Sequence, residues 1–182
     1  MLVDLIRSAI ADRLTDDAGI VLSGGLDSST VSMLSPVPLP AFTGWYDVPG
    51  YDERPYARLA ARARHHEVRI TAWDFVAYFE DMARHFRPPY QGMGAFGQYM
   101  VARYASDHVS VVLSGEGSDE LFGGYARTLL AAGEPLPTGY EHYRPPLDYP
   151  VGNLAAALQY DLDRLPDLLA VDDQMCGAWG LE

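Results

Sequence analysis

The chain has 182 residues, 48% of them apolar and 21% charged, which excludes the disordered and fibrous classes and predicts one globular domain over residues 1–182 with a sizeable core. Cys176 is the single cysteine, so neither a disulfide framework nor a multi-cysteine metal site is available, and a reducing cytoplasmic setting is expected. No apolar run reaches membrane-spanning length, the N-terminus lacks a signal-peptide pattern, and a formal net charge of −12 disfavours nucleic acid as a partner, so neither membrane nor nucleic acid is expected.

Apolar residues at Leu2, Leu5, Ile6, Ile10 and Leu14 predict an amphipathic helix over Leu2–Leu14. Ile20–Leu22 reads as a strand, Asp27–Leu34 as the helix behind it, and Leu39–Tyr46 as a second strand set off by Pro36, Pro38 and Pro40. Alanine spacing predicts a helix over Asp52–His65, which would leave His65-His66 at its end as partners of the helix dipole rather than as metal ligands. Glu67–Thr71 alternates like a strand. Trp73–His85 returns to helical spacing, with Trp73, Phe75, Tyr78 and Phe79 expected to pack in the core. Pro88 and Pro89 break the chain, Gly97–Ala105 is helical, and Val109–Leu113 is the continuous apolar run of a buried parallel strand. Residues 131–149 are rich in Pro, Gly and Tyr and read as irregular. Leu154–Asp173 then reads as a helix interrupted at Pro166. Strands alternating with helices predict an α/β fold, a parallel sheet flanked by helices, with ligands at the carboxyl ends of the strands.

Two glycine loops are expected at that edge. Ile20–Leu22 runs into Ser23-Gly24-Gly25-Leu26-Asp27-Ser28, where the glycines admit close backbone approach and the following helix aims N–H groups and its positive end at an anion. Asp27 beside such a site makes sense with a divalent cation between carboxylate and phosphate. The loop lacks the Walker pattern. It resembles the pyrophosphate loop of the ATP pyrophosphatases, which split ATP into AMP and pyrophosphate. The second loop, Ser114-Gly115-Glu116-Gly117-Ser118-Asp119-Glu120, brings three carboxylates behind the last strand. A helix N-terminus favouring acidic residues accounts for Asp119 and Glu120, but not for Glu116 between two glycines or for the Gly123-Gly124-Tyr125 end.

Leu22–Ser29, Asp52-Glu53 followed by Tyr56-Ala57, and Leu113–Tyr125 together resemble the synthetase domain of the asparagine synthetase family. Met175 with Ala178-Trp179-Gly180-Leu181-Glu182 extends the resemblance to the end of the sequence. The resemblance implies ATP and Mg²⁺ as cofactors, with Leu22 and the Phe42-Thr43-Gly44 segment on the adenine and Ser23, Gly24, Gly25 and Ser28 on the pyrophosphate. It further implies Asp27 and Asp119 on Mg²⁺, Ser114 and Gly115 on the AMP part, and Glu116 on the acceptor side. The implied reaction is ATP-dependent amide formation through an acyl-adenylate, joining a small-molecule carboxylate or peptide to an amine donor.

Three departures bear on that expectation. Leu2 stands where the family's glutaminase domain carries its nucleophilic Cys, so the amine is expected as ammonia or from a partner chain such as a separate glutaminase. The family's Arg-x-Pro-Phe-Leu-Asp stretch and its phosphate-side Lys are missing. All thirteen basic residues are arginine, leaving Arg54, Arg127 and Arg164 as candidates for the missing charge. Gln91-Gly92-Met93-Gly94 departs from the family's Asp-Pro-Ser pattern, so aspartate is not the assured substrate. The alternatives are a nucleotide-binding subunit completed by a partner chain and an inactive homologue.

Overall fold

In the computed structural model, which describes residues 1–85, 94–140 and 143–178, three apolar runs and one alternating segment become strands β1 (Ala18–Val21), β2 (Ala41–Tyr46), β3 (His65–Ile70, the alternating one) and β4 (Val111–Leu113). They form one sheet in the order β3-β2-β1-β4, with every pair parallel. The helices among the described residues are α1 (Leu2–Ala11), α2 (Leu26–Leu34), α3 (Arg54–Ala60), α4 (Ala72–His85), α5 (Gly94–Ala105), α6 (Ser118–Phe122), α7 (Ala126–Ala132) and α8 (Leu154–Ala178). None of the described helices is long and apolar enough to cross a membrane. The chain divides into two compact units, Met1–Gly115 with the stretch from Val171, and Glu116–Ala170.

The first unit holds the sheet. Successive strand residues point to opposite faces, so β1, β2 and β4 feed two cores, while β3 buries His66, Val68 and Ile70 and exposes Glu67 and Arg69. Ile20, Leu22 and Ala41 join Ile10, Ala57 and Leu113 on one face, where Ile6 and Val31 pack against them. Phe42 and Ile70 join Phe96, Tyr99, Met100 and Val101 of α5 on the other. Burying both faces explains the near-continuous apolar strands β1, β2 and β4. In the second unit Ala131, Tyr149 and Ala157 form a smaller cluster.

The parallel α/β architecture follows the pattern of the sequence, and the differences are local. Helix α3 ends at Ala60 rather than His65. Ala61 is extended (φ −71, ψ 122), and Arg62 Nη1 donates to the carbonyls of Ser32 (3.0 Å) and Ser35 (2.6 Å), tying the turn down. The next residues are taken by pairing with β2, Ala41 opposite His65 through Tyr46 opposite Ile70, which overrides the helical alanine spacing. His65 and His66 therefore open a strand and are not partners of a helix dipole. Helix α8 runs through Pro166 instead of breaking there; the ring forfeits one bond, to the carbonyl of Leu162, while packing at Ala157 and Asp161 holds the helix. On α4, Phe75 and Tyr78 pack against the core as expected, whereas Trp73 is 81% exposed.

Gly19 sits where β1 meets its neighbours: a Cβ there would lie 2.8 Å from Phe42 Cε2 and 3.2 Å from Val109 Cγ2. Overpacking of this kind costs about 1–3 kcal/mol. Gly19→Ala should lower the unfolding free energy by that amount, seen as a lower urea midpoint at an unchanged slope, and an unchanged midpoint would contradict the packing.

Candidate functional site

The sheet changes direction between β1 and β4. Strands β1, β2 and β3 grow one way and β4 returns to the other side of β1, which is where open parallel sheets bind ligands. Ile20 pairs with Leu113, so the loops after β1 and β4 leave the same edge two or three residues later. They touch there. A Cβ on Gly115 would stand 2.8 Å from the Ser28 nitrogen and 2.9 Å from Asp27 Cβ, so glycine alone lets the second loop lie against the first turn of α2. Gly115 thus stands beside Asp27 and Ser28.

The first loop is held in shape by its own hydroxyls. Ser23 Oγ lies 3.1 Å from Ser28 Oγ and accepts from Gly25 N–H (3.2 Å), while Ser28 Oγ accepts from Ser23 N–H (3.3 Å). Gly24 has φ +84, and a Cβ there would run into the backbone of Tyr56 and Ala57. Ala57 itself is fully buried in α3, and its backbone is part of what leaves no room for a side chain at position 24. Helix α2 begins after Gly25 with no side chain capping it, so its positive end faces the loop. Asp27, in that first turn, is partly exposed.

Beneath the loop, Leu22 is fully buried and its N–H donates to Phe42 O (2.9 Å). Its carbonyl accepts from Thr43 Oγ1 (2.5 Å), leaving one lone pair for another donor. Because that hydroxyl donates to Leu22, the 2.7 Å contact with His65 Nε2 requires the ring to donate, which fixes the tautomer. Val21 pairs with Phe42, so Thr43–Tyr46 runs past the end of β1. Gly44 lies on that overhang. A Cβ on it would sit 2.8 Å from Val101 Cγ2, so the packing of α5 is one reason for glycine there.

In the second unit Glu116 is exposed, Gly117 takes φ +86, and Asp119 lies in the five-residue α6. Gly124 N–H donates to Asp119 O (3.0 Å), and a Cβ on Gly124 would overlap the Asp119 carboxylate. Glu120 is buried and accepts from the Tyr125 hydroxyl; burial first, and then this carboxylate, push the phenol well above its usual range. The sequence reading accounted for Glu120 only as an acidic residue at a helix N-terminus and gave Tyr125 no role, although the glycine pair before Tyr125 was the available signal.

The three candidate arginines are already engaged. Arg54 makes a two-pronged pair with Asp52 (2.8 Å each) and lies 3.6 Å over Trp45, holding the Asp52 carboxyl at a pKa of about 2. Arg127 donates to the buried Asp161 (2.6 Å), and Arg164 to the Tyr160 hydroxyl (3.2 Å). Gln91-Gly92-Met93 and Trp179–Glu182 lie outside the described residues.

The asparagine synthase sequence profile matches residues 1–175. The chain belongs to this family. Among relatives, an asparagine synthetase (glutamine-hydrolysing) of Bacillus subtilis is 35% identical over 136 residues, covering 68% of this chain and 22% of its own length. A nodule asparagine synthetase of Pisum sativum is 31% identical over 145 residues (69% and 25%), and the amidase chry2 of Gibberella zeae 29% over 144 (66% and 22%). The chain thus spans about a fifth to a quarter of the length of the curated relatives it matches.

An asparagine synthase site implies Mg²⁺, a hard cation that takes oxygen ligands and is commonly held by one or two carboxylates plus substrate phosphates. No three His, Cys, Asp or Glu side chains cluster among the described residues, so an all-protein cage is not offered there. Asp27, against Gly115 in the first unit, and Asp119, against Gly124 in the second, each present a half-buried carboxylate beside glycine backbone. Taken by itself, each has the oxygen-donor chemistry that a phosphate-bound Mg²⁺ takes.

Burial holds the His65 and His66 imidazoles below their usual range. A lowered native pKa means the unfolded chain binds more protons below about pH 6.5, so this contribution is complete above that value and fades as pH falls through it. Asp52 and Glu67, held low by Arg54 and Arg58, lose theirs only below about pH 4. The urea midpoint should therefore drop between about pH 7.5 and 5.5, and the paired substitutions His65→Gln and His66→Gln should flatten that drop. A parent midpoint constant over this range would contradict the assignment.

Proposed function

We propose that this chain is the nucleotide-using part of an ATP-dependent carbon–nitrogen ligase, with both compact units belonging to one asparagine-synthetase-like domain. The observation that carries the reading is the contact of Gly115 with Asp27 and Ser28 at the sheet's switch point. A carboxylate oxygen of the substrate attacks the α-phosphorus of ATP, the bond to the β-phosphate oxygen breaks, and pyrophosphate leaves. The amine nitrogen then attacks the acyl carbon of the adenylate, AMP leaves, and the amine releases a proton. Activation is needed because a free carboxylate does not accept an amine at neutral pH.

In this reading the loop from Ser23 to Ser28 and the start of α2 hold the pyrophosphate, with Gly24 and Gly25 keeping side chains out of the way. Ser114 and Gly115 hold the AMP part, and Leu22 and Gly44 border the adenine. Glu116 orients the acceptor or takes the amine proton. Bound by Asp27, Asp119 and the phosphates, Mg²⁺ would neutralise charge on the leaving pyrophosphate. The acceptor is a small carboxylate or peptide; a relative named as an amidase supports leaving it broader than aspartate. The amine is ammonia or is delivered by a partner chain, in a cytoplasmic setting. The absence of lysine from these 182 residues favours a second reading, in which they bind ATP without turnover and catalysis needs a partner chain.

The test supplies ATP, ammonium and candidate ¹⁸O-carboxylates to the purified chain. Equal release of AMP and pyrophosphate with ¹⁸O in the AMP supports ligation. ADP and phosphate as products would contradict it, and nucleotide binding without products favours the partner-dependent reading. Asp27→Asn should lower the rate by about a hundredfold or more, and an unchanged rate would remove Asp27 from the site.

A further inference from the structure

Helix α6 is too short to hold itself. One turn and a half forms at a net cost in isolation, so Ser118–Phe122 must be kept in place by its surroundings. It starts at Gly117 and ends at Gly123, both left-handed (φ +86 and +69). Each glycine lets the backbone approach its own unit closely: a Cβ on Gly117 would lie 3.0 Å from Leu165 Cδ1, and one on Gly123 would lie 3.0 Å from Thr128 Cγ2. The two residues that follow reach back into the helix. Gly124 donates to the Asp119 carbonyl and has no Cβ where the Asp119 carboxylate lies. Tyr125 donates its hydroxyl to the buried Glu120.

Tyr125 is itself anchored. The Arg127 guanidinium lies 3.7 Å over its ring and donates to Asp161 Oδ1 through Nε (3.0 Å) and Nη2 (2.6 Å). Asp161 is 1% exposed and also accepts from the Tyr149 hydroxyl (3.3 Å). A buried carboxylate paired this way is costly to leave alone, so the pair fixes Arg127, and Arg127 fixes the ring. The chain Glu120–Tyr125–Arg127–Asp161–Tyr149 ties α6 to α7 and α8.

We infer that Gly124 and Tyr125 are positioning residues for Asp119, the glycine by leaving space for one orientation of its carboxylate and the tyrosine by anchoring, through Glu120, the helix that carries it. The inference rests on the reading of Asp119 as a metal-binding carboxylate. It assigns neither residue a contact with substrate.

The test measures Mn²⁺ binding to the full chain by electron paramagnetic resonance with saturating ATP, alongside ATP binding in the absence of metal. Gly124→Ala and Tyr125→Phe should each weaken Mn²⁺ binding about tenfold, leaving metal-free ATP binding within about twofold of the parent. Tyr125→Phe removes one oxygen and decides the matter if Gly124→Ala does not fold. If Asp119→Asn loses Mn²⁺ while both other variants bind it as the parent does, the positioning role is wrong and the metal reading stands. If Asp119→Asn binds Mn²⁺ normally, the metal reading falls and this inference with it. Equal loss of metal-free ATP binding in the variants would mark a general structural defect and also overturn the positioning role.

Discussion

The structure depends on how closely two backbones meet at the carboxyl edge of the sheet. Strands β1 and β4 are parallel neighbours, so the loops that leave them must share one narrow space. Gly115 resolves that crowding, since any side chain there would strike Asp27 or Ser28. Gly24 resolves the second crowding, against the backbone of Tyr56 and Ala57 in α3. The residues with most chemical potential stand next to residues chosen for having no side chain. Loops of this kind hold exposed N–H groups for an anion because nothing else is allowed to fill the space.

The acidic residues make sense in the same terms. A chain with a formal charge of −12 does not attract a polyanion such as ATP through its overall field. In the proposed reading, local attraction comes from backbone N–H groups, the start of α2 and a cation. The candidate arginines are no substitute, because Arg54, Arg127 and Arg164 are committed to Asp52, Asp161 and Tyr160. This is why the metal reading assigns so much to two aspartates.

Much of the fold was legible in the sequence because burial on both faces produces apolar strands, and glycine and proline mark where they stop. The edge of the sheet carrying both loops followed from strand–loop–helix repetition alone. The sequence was less informative where tertiary pairing overrides local spacing. Alanines at 60, 61 and 63 read as helix, yet pairing with β2 pulls the chain into strand at His65. Pro166 read as a break, yet the surrounding helix continues. Glu120 and Tyr125 were invisible as a pair because five residues of separation says nothing about a hydrogen bond closed by left-handed glycines. The metal and nucleotide roles of the site residues were carried by the resemblance to the family and by motif chemistry rather than by periodicity.

The central claim is that both glycine loops address one nucleotide. The most direct measurement is a crystal structure of the full chain with Mg²⁺ and a non-hydrolysable ATP analogue. The account predicts phosphates against the backbone of Gly24 to Ser28, the ribose or α-phosphate at Ser114 and Gly115, and Asp27 and Asp119 on the same ion. A nucleotide bound elsewhere, or one held by the first loop with Asp119 turned away from the metal, would contradict it.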